Sequence, residues 1–216
     1  MKKIYLPIVA AMFLASCGGN EKPAEQAVEQ PEIQPKEVCT YSYNEESTEV
    51  LWVAYKYTDK VGVKGVFDSI MVEGFSESES PAQVIANAGF TIYTESVNSG
   101  DPTRDPKIRE YFFGKMQNGD QIHGSVKSVS GTETEGKVQF LLTMNGIQQP
   151  IEGTYTVVDD KLEVKAAITV DTWNGSTQLG ELNKVCEDLH KGSDGKSILW
   201  PDVSLFISAK LNKACN

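Results

Sequence analysis

The sequence predicts an all-β fold, an eight-stranded antiparallel up-and-down β-barrel with two short helices. Apolar and polar side chains alternate along several segments, which is typical of strands that bury one face. Turn signals separate these segments, and the strongest is Asn145-Gly146, which favours a type I′ hairpin. A barrel of about eight strands has an interior that side chains just fill or that holds one small ligand. The predicted strands are residues 50–57, 61–72, 90–94, 121–129, 138–144, 151–157, 162–170 and 203–211.

Two segments predict helices instead of strands. Asp105 as N-cap and Pro106 in the first turn predict a helix over residues 105–112. This helix follows the third predicted strand, where it is either a lid over the barrel mouth or a hydrophobic plug. The second helix is predicted over residues 177–190 and ends before Gly192.

The N-terminus predicts export and lipid attachment. Lys2 and Lys3 precede an apolar run of about a dozen residues, which is typical of a secretory signal. The run is shorter than the roughly 20 residues of a membrane-spanning helix. The signal peptide is therefore predicted at residues 1–16. Its Leu-Ala-Ser-Cys ending resembles the lipobox of bacterial lipoproteins, which implies acylation of Cys17, and an ordinary signal peptide ending near a cysteine is the alternative.

The residues after the signal predict a tether and one domain. Residues 17–38 are expected to be the lipidated cysteine and a disordered tether, because they are rich in Glu, Gln, Pro and Ala and lack aromatic residues before residue 39. The barrel domain is predicted over residues 39–216. The formal net charge is −10 and the part of the chain beyond the signal has no basic run, so nucleic acid is not an expected partner.

The cysteines predict one disulfide. Export permits disulfides to persist, and three cysteines remain once Cys17 is acylated. Cys186 lies at helical spacing from apolar residues of the second predicted helix, so a buried free thiol is expected there. Cys39 precedes the first predicted strand and Cys215 follows the last, and closing an antiparallel barrel brings those ends together. This predicts a Cys39–Cys215 disulfide, with Cys186–Cys215 as the alternative pairing.

Several motifs together resemble a known family. Residues 52–56 (Trp-Val-Ala-Tyr-Lys) lead into residues 61–67 (Val-Gly-Val-Lys-Gly-Val-Phe) as a strand pair. More specific are residues 104–109 (Arg-Asp-Pro-Lys-Ile-Arg), followed by the pair Phe112-Phe113. Over roughly residues 49–211 the chain resembles the YceI-like domain family. That resemblance implies a lipocalin-like barrel associated with binding of isoprenoids and other lipids.

The chain departs from many of these relatives at residues 121–124, where Gln-Ile-His-Gly replaces a Pro-x-Ile-x-Phe strand. The resemblance still implies an exported lipoprotein that binds or carries an apolar amphiphilic ligand, such as an isoprenoid or quinone-like lipid, inside the barrel. Its expected partners are this long-chain ligand and the membrane, through the lipid anchor. The expected location is the cell envelope. Gly18, in place of an Asp after the acylated cysteine, favours the outer membrane, facing the periplasm.

No motif predicts catalysis, a metal or a cofactor. The two histidines, His123 and His190, are not at metal-ligand spacing, and no phosphate loop, dinucleotide fingerprint or nucleophile elbow is present. The protein is therefore not expected to be an enzyme. An envelope-stress or protein-interaction module with a filled barrel is the alternative, and a hydrolase using loop carboxylates is the least favoured hypothesis.

The predicted binding residues are apolar side chains that would line a cavity or its lid. Such pockets favour aromatic walls, although any one of these residues could instead be an ordinary core residue. Phe206 is a weaker candidate because it alternates with the inward residues of its strand, and Trp200 is expected to seal one end of the barrel. The candidates are Trp52, Phe67, Phe90, Ile92, Ile108, Phe112, Phe113, Phe140, Leu142 and Ile168.

Overall fold

The structure is a computed structural model that describes residues 37–45 and 47–216. The predicted signal peptide at residues 1–16, the acylation site Cys17 and the predicted tether up to residue 36 lie outside the described residues. Val38, at the predicted end of the tether, exchanges backbone hydrogen bonds of 3.3 and 3.0 Å with Asn216. Val38 therefore pairs with the end of the chain and belongs to the described domain.

Eleven strands form one curled sheet in the described residues, and every pairing is antiparallel. They are β1 (Cys39–Tyr43), β2 (Glu49–Lys56), β3 (Val61–Phe67), β4 (Ile70–Glu73), β5 (Gly89–Tyr93), β6 (Val97–Asn98), β7 (Gln121–Gly131), β8 (Glu135–Met144), β9 (Ile147–Val158), β10 (Lys161–Thr169) and β11 (Leu199–Cys215). The hydrogen-bonded order is β4-β5-β7-β8-β9-β10-β11-β2-β3-β6, and β1 pairs with β11. The all-β, antiparallel, lipocalin-like fold predicted from the sequence is confirmed.

The strand count differs from the predicted eight because one predicted strand is interrupted and short strands are added. The predicted strand at residues 61–72 is divided into β3 and β4 at Asp68 and Ser69. There the backbone N–H of Asp68 donates to the carbonyl of Ser96, and that of Ser69 donates to the Ser96 hydroxyl, both at 3.0 Å. The strand β6 continues β5 beyond this bend, and β1 precedes the first predicted strand. Because β3 and β4 are consecutive, the chain itself joins the two ends of the curled sheet.

The last strand, β11, holds the sheet together along both of its edges. It has 17 residues and pairs with β10 on one side and with both β2 and β1 on the other. Its register with β2 shifts between Leu199 and Val203, where Pro201 lacks the N–H that a ladder needs. This strand therefore connects the part of the sheet from β4 to β10 with β2, β3 and β6.

The turn at Asn145-Gly146 joins β8 to β9 as the sequence predicted. Both residues have positive φ angles, 51° and 70°, as a type I′ turn requires. The Asn145 side chain accepts a hydrogen bond from the backbone N–H of Gln117 and donates one to the carbonyl of Trp173, each at 2.8 Å. The turn therefore also positions the segments that cover this end of the sheet.

Helical segments cover one end of the sheet. The first is α1 (Asp105–Lys107), continued by a π-helical turn (Ile108–Phe112) and a 3₁₀ turn (Phe113–Lys115); we call residues 105–115 the lid. The others are α2 (Ser176–Val185) and α3 (Glu187–His190), so the second predicted helix is divided at Cys186. No helix in the described residues has the length and apolar character to span a bilayer.

The predicted N-cap role of Asp105 is wrong. Asp105 lies inside α1 and its buried carboxylate accepts hydrogen bonds from the backbone N–H and hydroxyl of Ser99. The turn before α1 is closed by Asp101, whose carboxylate accepts the Thr103 N–H at 2.9 Å and pairs with Arg104 at 3.1 Å. Asp105 therefore ties the lid to the segment that follows β6.

The disulfide and the free thiol lie where the sequence predicted them. Cys39 and Cys215 are register partners of β1 and β11, and their sulfur atoms are bonded, with a Cα–Cα distance of 4.0 Å. Cys39 lies within a strand rather than before it, because pairing with β11 extends back to this residue. Cys186 is free and buried, and burial raises the pKa of its thiol.

We predict that replacing Cys39 and Cys215 together by Ser lowers the free energy of unfolding by about 2–5 kcal/mol. The bridge closes a loop with a sequence separation of 176, and long loops restrict the unfolded chain most in the chain-entropy account. Urea denaturation with and without reductant measures the change. Reductant should destabilise the wild-type protein and leave the double variant unaffected. If the wild-type protein and the double variant are equally stable in the absence of reductant, the bridge does not stabilise the fold.

Candidate ligand-binding cavities

Two apolar cavities lie inside the curled sheet, each with a volume of about 140 Å³. The first, which we call the deep cavity, is lined by residues of β1 to β5 and of β7 to β11, and by Ile85 and Ala88 in and after the 3₁₀ turn Pro81–Ile85. The second, the lid cavity, lies between the sheet, the lid and α2. The interior is therefore not completely filled by side chains.

The two cavities adjoin at a shared set of side chains. An apolar cavity of roughly 150 Å³ stays dry and admits a benzene-sized group. Two such cavities that lie next to each other therefore suit an extended apolar chain better than one compact molecule. We call the shared residues the waist; they are Phe67, Ile122, Met144, Ile168 and Leu205.

The polar atoms at the cavity walls are already engaged in hydrogen bonds. In the deep cavity the hydroxyl groups of Tyr43 and Thr48 bond to each other. In the lid cavity the Tyr55 hydroxyl bonds to that of Ser204 at 2.8 Å, and the Trp200 indole N–H donates to the Tyr57 carbonyl at 2.7 Å. What the walls offer to a ligand is therefore apolar surface, which favours binding by burial.

All ten predicted lining residues face one cavity or the other. Phe90, Ile92, Phe140 and Leu142 line the deep cavity. Phe67 and Ile168 belong to the waist. Phe206 is 38% exposed on the outer surface, as its alternation with the inward residues of its strand indicated. The predicted residues of the lid cavity are Trp52, Ile108, Phe112 and Phe113, and Trp200 joins them at its wall.

Several lining residues were not among the candidates. Met144 and Leu205 lie in alternating runs that the sequence shows clearly, so the same period-two pattern could have identified them. Leu179 and Leu182 of α2, and Ala88 after a 3₁₀ turn, lie outside the runs with the period-two pattern. Their position depends on how the helices dock on the sheet.

Two aromatic side chains of the walls lie across glycines of neighbouring strands. Trp52 pairs with Gly65, where a Cβ atom would approach the indole to 2.1 Å. Phe90 pairs with Gly124, where a Cβ atom would approach the phenyl ring to 2.0 Å. The Gln-Ile-His-Gly segment at residues 121–124, where this chain differs from many relatives, therefore has a structural role. Its glycine lets the ring of Phe90 lie against β7.

The lid is held by aromatic packing and by hydrogen bonds to its surroundings. The ring of Phe113 lies 5.0 Å from that of Phe112 and 6.1 Å from that of Phe67, centre to centre. The Gln178 amide of α2 donates to the Lys115 carbonyl at 3.1 Å. The lid contains a π-helical turn, a feature that is frequent at functional sites.

The imidazole of His190, at the end of α3, is partly buried and lies near several cations. The pKa of His190 is lowered to about 4 by burial and by the cations Lys56, Arg104 and Lys107. The neutral ring hydrogen-bonds through Nδ1 to the Asn183 amide oxygen at 2.9 Å. Within the described part of the chain, no three His, Cys, Asp or Glu side chains are grouped as metal ligands.

The chain belongs to the YceI-like domain family, whose sequence profile matches residues 41–197. The matched region includes the strands from β2 to β10, the lid and α2, while β11 lies beyond it. This family membership agrees with the resemblance seen in the sequence motifs. A comparison with curated protein sequences finds no significant match.

Solved structures with the same fold are distant in sequence. A polyisoprenoid binding domain from Saccharophagus degradans, implicated in plant cell wall breakdown, is 16% identical, with a TM-score of 0.55 over 80% of this chain and 98% of that one. BcnA of Burkholderia cenocepacia is 16% identical, with a TM-score of 0.54 over 79% and 99%. The YceI protein of Campylobacter jejuni is 20% identical, with a TM-score of 0.50 over 74% and 89%. These similarities establish the shared fold.

We predict that His190 makes the protein less stable in acid. The folded-state pKa is about 4 and the unfolded value is near 6.5, so the unfolded chain binds the extra proton between these values. The free energy of unfolding contributed by His190 therefore falls as the pH drops from about 6.5 to about 4. Replacing His190 by Gln should reduce this fall by on the order of 2 kcal/mol, allowing for partial screening by solvent.

Urea denaturation at several pH values compares the variant with wild type. His123→Gln, the same substitution at the exposed histidine of β7, is the matched control. If His190→Gln keeps the wild-type pH dependence, the ring of His190 titrates normally in the folded protein.

Proposed function

We propose that this protein binds or carries a long-chain apolar amphiphile, of the isoprenoid or quinone-like class, inside its curled sheet. The observation that carries the proposal is the pair of apolar cavities that adjoin at the waist. Family membership supports the lipid class, and the polyisoprenoid binding domain from Saccharophagus degradans supports an isoprenoid chain. A filled barrel that acts only through its surface loops is less favoured, because the interior holds space.

Binding would be driven by burial of apolar surface. A ligand that hides on the order of 300 Å² of apolar surface gains about 7 kcal/mol before the costs of association are subtracted. The polar groups named at the cavity walls hydrogen-bond to one another or to the backbone, so none of them is free to act as a nucleophile or an acid. We therefore propose carriage or sequestration rather than catalysis.

The proposed site of action is the cell envelope. The signal-like N-terminus and the lipobox-like ending before Cys17 support an exported lipoprotein. We propose that acyl chains on Cys17 anchor the protein to the outer membrane with its domain facing the periplasm. An anchored carrier would stay next to the lipid phase from which it takes its ligand.

Native mass spectrometry tests the proposed ligand directly. Protein purified from its own membrane in mild detergent should carry a bound lipid that denaturation releases, while the covalent acyl chains remain. Detection of the unliganded mass alone would remove the main support for the proposal.

We predict that a bulky side chain at the waist blocks long ligands. In Leu205→Trp the indole would occupy the junction of the two cavities, so a long polyprenol should bind at least about tenfold more weakly, a change of about 1.4 kcal/mol. Geraniol, which needs one cavity only, should bind with little change. Competition for a fluorescent fatty-acid probe measures both affinities.

Phe206→Trp is the matched control for this variant. It adds the same side chain at the next residue, on the exposed face of β11. It should bind the long polyprenol as wild type does. If Leu205→Trp folds normally by circular dichroism and also binds like wild type, the ligand does not pass through the waist.

We predict that Cys17 determines membrane association. Wild-type protein should fractionate with membranes and incorporate labelled palmitate, whereas Cys17→Ser should lose both properties because its oxygen cannot form the thioether. Cys186→Ser, at the buried free thiol, is the control and should keep both. Labelling of the Cys17→Ser protein to the wild-type level would show that the anchor lies elsewhere.

A further inference from the structure

The deep cavity is closed by side chains at the end that lies farthest from the lid. On β11 its wall ends at Ala209, and the next inward residue, Leu211, is only 1% exposed. On β8 its wall ends at Phe140, and the next inward residue toward the same end, Val138, is fully buried. Among the described residues, neither Leu211 nor Val138 lines one of the two cavities. Packed side chains therefore fill the sheet beyond Ala209 and Phe140.

A 3₁₀ turn packs into this end of the sheet. Ala82 and Val84 of the turn Pro81–Ile85 are buried, and they belong to one apolar cluster with Val138 and Leu211. We call this turn the plug. Its last residue lines the deep cavity, so the plug forms part of the cavity floor.

Backbone hydrogen bonds connect the chain on both sides of the plug to the sheet. The carbonyl of Ala88, shortly after the plug, accepts a hydrogen bond from the N–H of Val126 in β7 at 2.8 Å. Before the plug, Ser78 exchanges backbone hydrogen bonds of 2.8 and 3.0 Å with Tyr41 in β1. The plug therefore lies between two attachments to strands.

The strand β11 passes along both cavities and gives their extent along the sheet. Val203 lines the lid cavity, and Ala209, six positions further along this strand, lines the deep cavity. Their register partners on β10, Ile168 and Leu162, also line the cavities. At about 3.3 Å per residue these positions are roughly 20 Å apart, or about 15 Å along the axis of a barrel whose strands tilt by about 40°.

This extent corresponds to a short apolar chain. An extended chain advances by about 1.2 Å per bond, as the length of an extended polypeptide also implies, so the cavities accept about 12–16 bonds, or about three to four isoprene units. The cavity volumes agree with this length. A space of roughly 150 Å³ admits a benzene-sized group, so two cavities of nearly that size hold about a dozen carbon atoms.

We propose that the plug limits the buried part of the ligand to about three to four isoprene units. This inference rests on the proposed function. The apolar end of the chain would lie against Ile85 and Ala209, and carbon atoms beyond that length would lie outside the two cavities. Because only apolar surface removed from water contributes to the hydrophobic free energy, the affinity should stop rising at that length.

The test compares isoprenoid alcohols that differ only in length: geraniol, farnesol, geranylgeraniol and geranylfarnesol. Their affinities for the full chain are measured by competition for a fluorescent fatty-acid probe. The affinity should rise at least about tenfold from geraniol to geranylgeraniol, and geranylfarnesol should bind within about threefold of geranylgeraniol. A further rise of about tenfold at geranylfarnesol would overturn the length limit and leave the proposed function intact. Failure of every alcohol to bind would overturn both.

Ala209→Leu adds a side chain to the floor of the deep cavity and should shorten the site. The variant should bind geraniol as wild type does and geranylgeraniol at least about fivefold more weakly. Both proteins meet the same solution, so the ratio of their affinities at each length cancels differences in the solubility of the alcohols.

Ala167→Leu is the matched control, because it makes the same substitution at an exposed position on β10. It should keep the wild-type affinities. If Ala209→Leu weakens geraniol as much as geranylgeraniol, or weakens neither, the floor does not set the length. Should Ala209→Leu fail to fold by circular dichroism, Ala88→Leu makes the same test from the other side of the floor.

The position of the chain end supplies a second readout. A farnesol analogue with a diazirine at its apolar end should, on illumination, label peptides that contain Ile85 or Ala209. Labelling confined to peptides of the lid cavity, at Ile108 or Leu182, would overturn the proposed placement of the chain end.

Discussion

The pairing of β11 along both of its edges is the constraint on which the rest of the structure depends. This strand joins β10 to β2 and β1, and its far end carries the disulfide to Cys39. Without it the curled sheet would open and its apolar face would meet water. The two cavities lie on the inner side of this sheet, and the lid and α2 cover its end. Its pairings with β1 and β2 are non-local, since these are the first two strands of the described chain and β11 is the last.

Closure also explains why the interior can hold empty space. A sheet hydrogen-bonded all along its strands cannot collapse onto a void as a loose cluster of side chains can. Each cavity of about 140 Å³ costs about 3 kcal/mol at about 24 cal/mol per Å³. A ligand that fills the cavities recovers part of this cost, so binding and stability are coupled. The flat packing of Trp52 on Gly65 and of Phe90 on Gly124 keeps these large rings against the wall.

The covered end of the sheet combines apolar and charged features over a short distance. The lid places Ile108 and Phe113 against the lid cavity. The hydrogen bonds of Asp105 to Ser99 and of Gln178 to Lys115 hold the lid by polar contacts at separate points.

The sequence by itself determined most of the strands, the inward-facing sets, the Asn145-Gly146 turn and the cysteine pairing, because each follows from local alternation, from turn chemistry or from the closure of a barrel. Val138, Phe140, Leu142 and Met144 are buried as their spacing indicated. Only the tertiary structure decided the bend at Asp68 and Ser69, the role of Asp105, and the places of Leu179 and Leu182 in the lid cavity. The sequence also left open whether side chains fill the interior, because the cavity volume depends on how side chains from distant parts of the chain pack together.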